Sequence, residues 1–178
     1  MEARRAEADR EGPTDASSFV EFYRREYPSV AGFAYVLTGD HAAAEDLAQD
    51  AFLAARQAWL KVSRYDQPGA WVRRVLVNRS RTRFRRLTRE RKAIARLAPS
   101  RDGSPPPGLR ADVMDVWREV RKLPTRQAQV IALTYLDGLS LEEIGNVLEC
   151  SPLTAKTHLQ RARRTLARTL GTEGGLRP

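Results

Sequence analysis

Apolar residues recur at three-to-four spacing through most of the chain, a pattern typical of amphipathic helices. The first such helix is predicted to begin after a cap at Ser17 or Ser18, with Pro28 as a candidate position for a kink or break. Its apolar residues are Phe19, Val20, Phe22, Tyr23, Tyr27, Val30 and Phe33. No strand-like alternation of useful length and no internal repeat interrupts the pattern. The sequence therefore predicts an all-α protein.

Two further helices are predicted in the first half of the chain. Asp40 is positioned to cap a helix from Ala42 to about Trp59. The face of this helix expected to be buried carries Ala48, Ala51, Phe52, Ala55 and Trp59. A loop from Lys61 to Gln67 leads to Pro68, at a favourable first helical position. The third helix is expected to extend toward Arg96, with apolar residues among many arginines: Trp71, Val72, Val75, Leu76 and Phe84.

A proline-rich stretch divides the chain into two parts. Residues 99–108 contain almost no apolar side chain and include three consecutive prolines, so they can neither pack nor continue a helix. We predict two small helical domains joined by a flexible linker. The segments are a disordered leader (1–16), a first domain (17–97), the linker (98–111), a second domain (112–170) and a tail (171–178).

The second domain has the pattern of a helix-turn-helix. Its four predicted helices run over 113–123, 127–136, 140–148 and 153–170. Ser140 and Glu143 have the spacing of a capping box, which defines where the third helix begins. After Cys150, expected to be a small buried hydrophobic residue, Pro152 stands near the first turn of the last helix. Two short helices joined by a tight turn are therefore expected.

The last helix has the composition of a DNA recognition helix. At about 100° per residue, one face is apolar and is expected to be buried: Ala155, Leu159, Ala162, Leu166 and Leu170. The opposite face carries Lys156, Thr157, Gln160, Arg161 and Arg164. A helix-turn-helix also occurs in proteins that bind no DNA. However, no acidic residue lies between Leu153 and Leu170, which favours a contact with phosphates and base edges.

The charge of the whole chain points in the same direction. The formal net charge is +9, and nearly all the basic residues are arginines, clustered between Arg73 and Arg96 and between Arg161 and Arg168. Such clusters favour a nucleic-acid partner over a basic surface kept for solubility. A single cysteine and an N-terminus without the apolar core of a signal peptide predict a cytoplasmic protein with no membrane insertion.

The sequence gives little indication of an enzyme active site. His41 precedes Glu45 and Asp46 at helical spacing, but His158 is the only other histidine and no second ligand cluster exists. An ion pair on a helix surface is the favoured interpretation. No glycine-rich phosphate loop is present. We therefore expect no catalytic residue, no cofactor and no metal.

Several segments resemble the extracytoplasmic-function (ECF) group of bacterial sigma-70 type sigma factors. Leu123-Pro124, Gly138–Ile144 and Thr154–Arg163 look like regions 4.1 and 4.2. Ala44–Phe52 is similar to region 2.2, and Pro68–Arg79 to regions 2.3 and 2.4. The chain departs from the usual pattern at Ala155, commonly valine, and at His158, commonly arginine. The second departure puts the DNA specificity in question.

The resemblance implies three sets of site residues. Region 4 would read the -35 promoter element through Thr154, Lys156, Thr157, His158, Gln160, Arg161 and Arg164. Regions 2.3 and 2.4 would recognise and open the -10 element through Ser63, Arg64, Arg73, Arg74, Asn78, Arg79 and Arg81. Region 2.2 would dock on the largest polymerase subunit through Asp46, Gln49, Asp50 and Leu53, which share the face opposite the buried one.

Core RNA polymerase, promoter DNA and an anti-sigma protein are therefore the expected partners. The alternative is a helix-turn-helix regulator of another class, with an N-terminal sensor or dimerisation domain, in which Asp46 and Asp50 would have no polymerase role. For Trp71, a place in the core is favoured over a base-stacking role, since aromatic residues at helical spacing are more often buried.

Overall fold

The computed structural model of the chain describes residues 13–93 and 114–171. These residues form eight helices and no strand. The N-terminal domain contains α1 (Pro13–Thr38), α2 (His41–Gln57), α3 (Trp59–Val62) and α4 (Pro68–Ala93). The C-terminal domain contains α5 (Met114–Lys122), α6 (Thr125–Tyr135), α7 (Leu141–Leu148) and α8 (Pro152–Thr169). The all-α prediction is confirmed.

Helix α1 is longer than the sequence predicts. It begins at Pro13, ahead of the predicted caps at Ser17 and Ser18, so the helix includes residues 13–16 of the predicted leader. Proline suits a helix start because its missing N–H would be unpaired there in any case. The helix also runs through Pro28 without a break. Phe22 and Val30, on either side of that proline, are buried in one core, and this packing keeps both halves in register.

Helix α2 follows the local signals of the sequence closely. Its N-cap is Asp40, whose Oδ1 accepts a hydrogen bond from the Ala43 amide at 2.8 Å, as predicted. The face predicted to be buried is buried throughout. The predicted loop from Lys61 is shorter than expected, because α3 continues to Val62, whose burial holds that turn in helical form.

Aromatic side chains fill the core of the N-terminal domain. Trp59 lies 4.9 Å from Phe22 and 5.1 Å from Phe19, measured between ring centroids. Its indole Nε1 donates to the Ser18 hydroxyl at 3.0 Å, so its one polar group is satisfied. Trp71 is partly buried against the same core, in agreement with the interpretation favoured for it.

The C-terminal domain contains the predicted helix-turn-helix. Ser140 Oγ accepts from the Glu143 amide at 3.3 Å and Glu143 Oε2 accepts from the Ser140 amide at 2.7 Å, which confirms the capping box at the start of α7. Glu149 ends α7 in the left-handed region, with φ 57°. Two residues later Ser151 caps α8, and Pro152 is the first residue of the helix, in the first turn as predicted.

The two domains pack against each other, α1 against α6 and α4 against α7. The predicted linker (98–111), residues 1–12 of the leader, residues 172–178 of the tail and the extension of α4 to Arg96 lie outside the described residues. Within the described ranges, no helix has both the length and the apolar character that a membrane span requires.

Candidate nucleic-acid interface

Helix α8 has one buried face and one basic face. Ala155, Leu159, Ala162 and Leu166 are buried, and Leu170 packs against the core just past the helix end, all as predicted. Five of the seven residues assigned to -35 recognition are exposed: Thr154, Lys156, Gln160, Arg161 and Arg164. Thr157 and His158 are half-buried. The helix therefore presents long basic and amide side chains to solvent along its outer side.

Four polar side chains near the start of α8 are bonded locally or partly buried. The hydroxyls of Ser151 and Thr154 lie 2.8 Å apart, and Thr157 Oγ1 donates to the Leu153 carbonyl at 2.9 Å. His158 Nδ1 is buried and has no hydrogen-bond partner among the described residues. His158 is thus turned partly toward the protein. Among the residues assigned to the -35 element, it is less exposed than Lys156, Arg161 and Arg164.

Arg163 was not assigned to DNA, and the structure gives it a role inside the domain. Its Nε donates to the Tyr135 hydroxyl at 3.0 Å, and its guanidinium lies 5.7 Å from the centre of the Tyr135 ring. These contacts tie α8 to α6 and help to set the orientation of the helix. Arginines on neighbouring positions of α8 therefore differ in what they contact.

The residues assigned to the -10 element lie on α4 and on the turn before it. Ser63 and Arg64 are exposed in that turn, and Arg74, Asn78 and Arg79 are exposed on the helix. Arg81 is half-buried. Arg73 is 5% exposed. Five of the seven residues are therefore exposed, whereas Arg73 lies at the contact between the domains.

Arg73 is the centre of a buried polar cluster. Its Nη1 donates to Glu26 Oε2 at 2.9 Å, and its Nη2 donates to the Ser29 hydroxyl at 2.6 Å and to Asp137 Oδ1 of the C-terminal domain. Burial acts to lower the pKa of Arg73, but hydrogen bonds and charges from Asp137 and Glu26 outweigh it and raise the pKa. The guanidinium therefore stays charged although it is buried.

Two more polar contacts cross the domain interface. Arg74 pairs with Glu149, at the end of α7, and Gln67 donates to Glu143 of the capping box. The hydrogen bond from the Ser140 backbone, with smaller contributions from the Ser140 side chain and Gln67, lowers the pKa of the Glu143 carboxyl. Of the residues that the resemblance assigns to the -10 element, Arg73 and Arg74 thus contact the C-terminal domain, whereas Arg79 pairs with Asp50 of α2.

The predicted docking face of α2 is exposed as expected. Asp46, Gln49, Asp50 and Leu53 are all exposed, and Leu53 is 57% exposed. Together with Phe19, Tyr23 and Phe52 they line an open groove of about 600 Å³ between α1 and α2. Asp50 also pairs with Arg79 of α4 at 3.2 Å. The groove combines carboxylates with apolar walls, a composition suited to a protein partner that carries basic and apolar side chains.

Glu26 and Asp137 were not singled out from the sequence. The position of Arg73 in the sequence indicates that it needs such partners. Around the helix axis of α4, Arg73 lies between Val72 and Val77, on the side that faces the core. An arginine at such a position needs buried carboxylates. The sequence does not indicate which acidic residues supply them.

No group of three or more histidine, cysteine, aspartate or glutamate side chains could hold an ion within the described ranges. His41 Nδ1 and Glu45 Oε1 lie 3.6 Å apart on the surface of α2, as the interpretation of a helix-surface pair requires.

Comparisons with known proteins agree with this architecture. The Sigma-70 region 2 model matches residues 22–90, and the Sigma-70 region 4 model matches residues 114–166. The ECF RNA polymerase sigma factor SigM of Mycobacterium tuberculosis is 30% identical over 88% of this chain and 79% of its own length. SigW of Bacillus subtilis is 27% identical over 96% of this chain and 97% of its own length.

A solved structure is also similar. The sigma factor RpoE of Bartonella quintana, determined in complex with the anti-sigma factor NepR, has a TM-score of 0.70 and 25% identity, covering 88% of this chain and 99% of that one. Three findings agree on the family: the two sigma-70 domains occur in the expected order, a relative is 30% identical, and the fold is shared. The chain belongs to the ECF group of sigma-70 type sigma factors.

Proposed function

We propose that three exposed surfaces of the chain each bind a different partner in transcription initiation. The groove between α1 and α2 binds core RNA polymerase through Asp46, Gln49, Asp50 and Leu53. The exposed side of α4 and the preceding turn bind the -10 element through Ser63, Arg64, Arg74, Asn78, Arg79 and Arg81, joined by Arg73 when it is uncovered. The outer side of α8 reads the -35 element, and the chain itself carries out no catalysis.

The observation that carries this proposal is the division of α8 into two faces. Lys156, Gln160, Arg161 and Arg164 are exposed on one side, while the opposite side is buried in the domain. Arginine and lysine can donate to guanine O6 and N7 or to phosphates, and glutamine can make paired hydrogen bonds with adenine. A capped helix start holds these side chains at fixed positions for entry into the major groove.

The contact between the domains has a consequence for DNA binding. Arg73 and Arg74 are both engaged by carboxylates of the C-terminal domain. Their contact with the -10 element therefore requires that the two domains move apart. Separation would also let α8 and α4 reach promoter elements that lie apart on the DNA.

An anti-sigma protein is an expected partner as well. The similar RpoE structure was determined with the anti-sigma factor NepR. By that likeness we propose that a protein of this kind restrains the chain, and that both act in the cytoplasm, where core polymerase is found.

Transcription in vitro tests the proposal directly. Promoters would be found by mapping transcript starts after overexpression, then transcribed with purified core polymerase and the full chain. We expect initiation that depends on both elements. Arg161→Ala should weaken binding to the -35 element by about tenfold or more if Arg161 contacts a base.

A matched control separates this effect from the loss of one positive charge. Lys122→Ala removes a basic side chain that is exposed on α5 and pairs with Glu119, so it should leave -35 binding unchanged. Absence of RNA synthesis from every promoter tested would contradict the proposed function. An equal loss for Arg161→Ala on all DNA sequences would make Arg161 a phosphate contact.

A further inference from the structure

Leu153 is an apolar residue at the start of the predicted DNA-reading helix. It is the second residue of α8 and is 72% exposed, more than any other large hydrophobic residue in the described part of the chain. A single exposed leucine is common on protein surfaces and by itself indicates nothing. Its direction on the helix is what distinguishes it.

Leu153 points along the same line as the polar side chains of the outer face. With 3.6 residues per turn, its direction lies within about 40° of Thr157, Gln160 and Arg164. The buried residues Ala155 and Leu159 point to the other side. A helix that presents Gln160 and Arg164 to a DNA groove must therefore present Leu153 to the same groove.

The first turn of α8 holds this leucine in a fixed place. Ser151 Oγ accepts from the Thr154 amide at 3.1 Å, and the Leu153 carbonyl accepts from the Thr157 hydroxyl at 2.9 Å. The hydroxyl hydrogen of Thr157 is used in that bond. The Thr154 hydroxyl lies 2.8 Å from the Ser151 hydroxyl, within hydrogen-bond distance. Leu153 is thus the large apolar side chain that this turn leaves exposed.

We propose that Leu153 contacts the 5-methyl group of a thymine in the -35 element and thereby selects a T·A pair at one position. This inference rests on the proposed role of α8. Thymine is the only base that shows a methyl group in the major groove. A cytosine at the same place would bring its amino group against a side chain with no acceptor, and that group would lose its hydrogen bond to water.

The test replaces single thymines of the -35 element by uracil, which removes only the 5-methyl group. Holoenzyme formed with the full chain is expected to bind one of these promoters about fourfold more weakly, the effect of removing roughly one buried methyl contact. With Leu153→Ala, the same promoter and the thymine promoter should be bound equally. Because Leu153 is exposed, this variant should fold normally.

Leu60→Ala is the matched control, since Leu60 is 68% exposed but lies in the N-terminal domain. It should keep the discrimination between thymine and uracil. Specific promoter binding with no uracil-sensitive position, or the same sensitivity in Leu153→Ala, would overturn the role of Leu153 alone. Failure of the wild-type holoenzyme to protect any -35 element would overturn the proposed function of α8 itself.

Discussion

Arg73 and Asp137, 64 positions apart in the sequence, form an ion pair that joins the two domains, with side chains 6% and 1% exposed. The pair is not fully satisfied. Arg73 Nε and Asp137 Oδ2 are both buried without a hydrogen-bond partner in the described structure. A buried pair with unpaired atoms recovers little beyond its own desolvation penalty. The net gain from the contact is therefore small, but removing one partner would leave the other charge buried without its compensation.

Neutralising Asp137 should open the contact between the domains. In Asp137→Asn, Arg73 keeps Glu26 as a partner in its own domain and can regain water when the domains part. The effect should thus appear as separation and not as unfolding. Asparagine keeps an acceptor oxygen but not the charge, and this change from a charged to a neutral hydrogen bond, about 1 kcal/mol, would shift the closed-to-open ratio by roughly fivefold.

Fluorescence energy transfer between dyes at Gln57 and Thr169, both exposed near helix ends, would report this shift. Asp115→Asn is the control, because Asp115 pairs with Arg118 on the surface of α5 and its side chain is 88% exposed. An unchanged transfer efficiency in Asp137→Asn would show that the ion pair does not govern the closed arrangement.

Acid should weaken the cluster around Arg73. Burial acts to raise the pKa of Glu26, but the hydrogen bond and charge of Arg73 outweigh it and hold that pKa below the usual range. A lowered pKa in the folded state means that Glu26 stabilises the fold fully above its unfolded pKa, about 4.3. That contribution is lost as the pH falls through the lowered value.

Urea unfolding between about pH 6 and 3 would measure this dependence. The Glu26→Gln variant should show a flatter decline of the free energy of unfolding with falling pH than the wild type. Glu21→Gln, on the exposed surface of the same helix, should keep the wild-type slope. Equal slopes for all three proteins would contradict the assignment.

Reversing the charge of Asp50 should reduce binding to core polymerase. Asp50 lines the groove between α1 and α2, and its pair with Arg79 is about half exposed on both sides, so the fold should tolerate the change. We expect Asp50→Arg to weaken core binding on the order of tenfold, in a salt-dependent manner. Competition with the wild-type chain for core polymerase would measure it.

Asp115→Arg makes the same change of charge on α5, away from the groove, and should bind core polymerase like the wild type. Comparable losses in both variants would indicate a general effect of net charge. Full binding by Asp50→Arg would remove the groove from the docking surface.

Local signals explain why much of this fold could be predicted from the sequence. The caps at Asp40 and Ser140 act over three residues, so spacing alone identifies them. The contact of Arg73 could not be found this way, because its partner lies in another domain. Pro28 shows the opposite case, in which burial of Phe22 and Val30 overrides a local signal for a break.

Gly145 should control how α7 meets α8. A Cβ at this position would lie 2.7 Å from the Cys150 carbonyl oxygen. This oxygen belongs to the backbone of the turn and cannot rotate away, so the turn itself must shift. In an ordinary helix Gly→Ala stabilises by up to about 1 kcal/mol. Here we expect Gly145→Ala to destabilise the domain by about 1 to 3 kcal/mol, as overpacking does.

Urea unfolding of Gly145→Ala beside Asn146→Ala separates these effects. Asn146 is the next residue of α7 and is exposed, so its replacement by alanine tests helix propensity without the clash. Asn146→Ala should be as stable as the wild type or slightly more so. Gly145→Ala should also bind the -35 element more weakly, because the displaced turn carries the start of α8. If both variants were stabilised alike, the close approach of Gly145 to Cys150 would not constrain the helix-turn-helix.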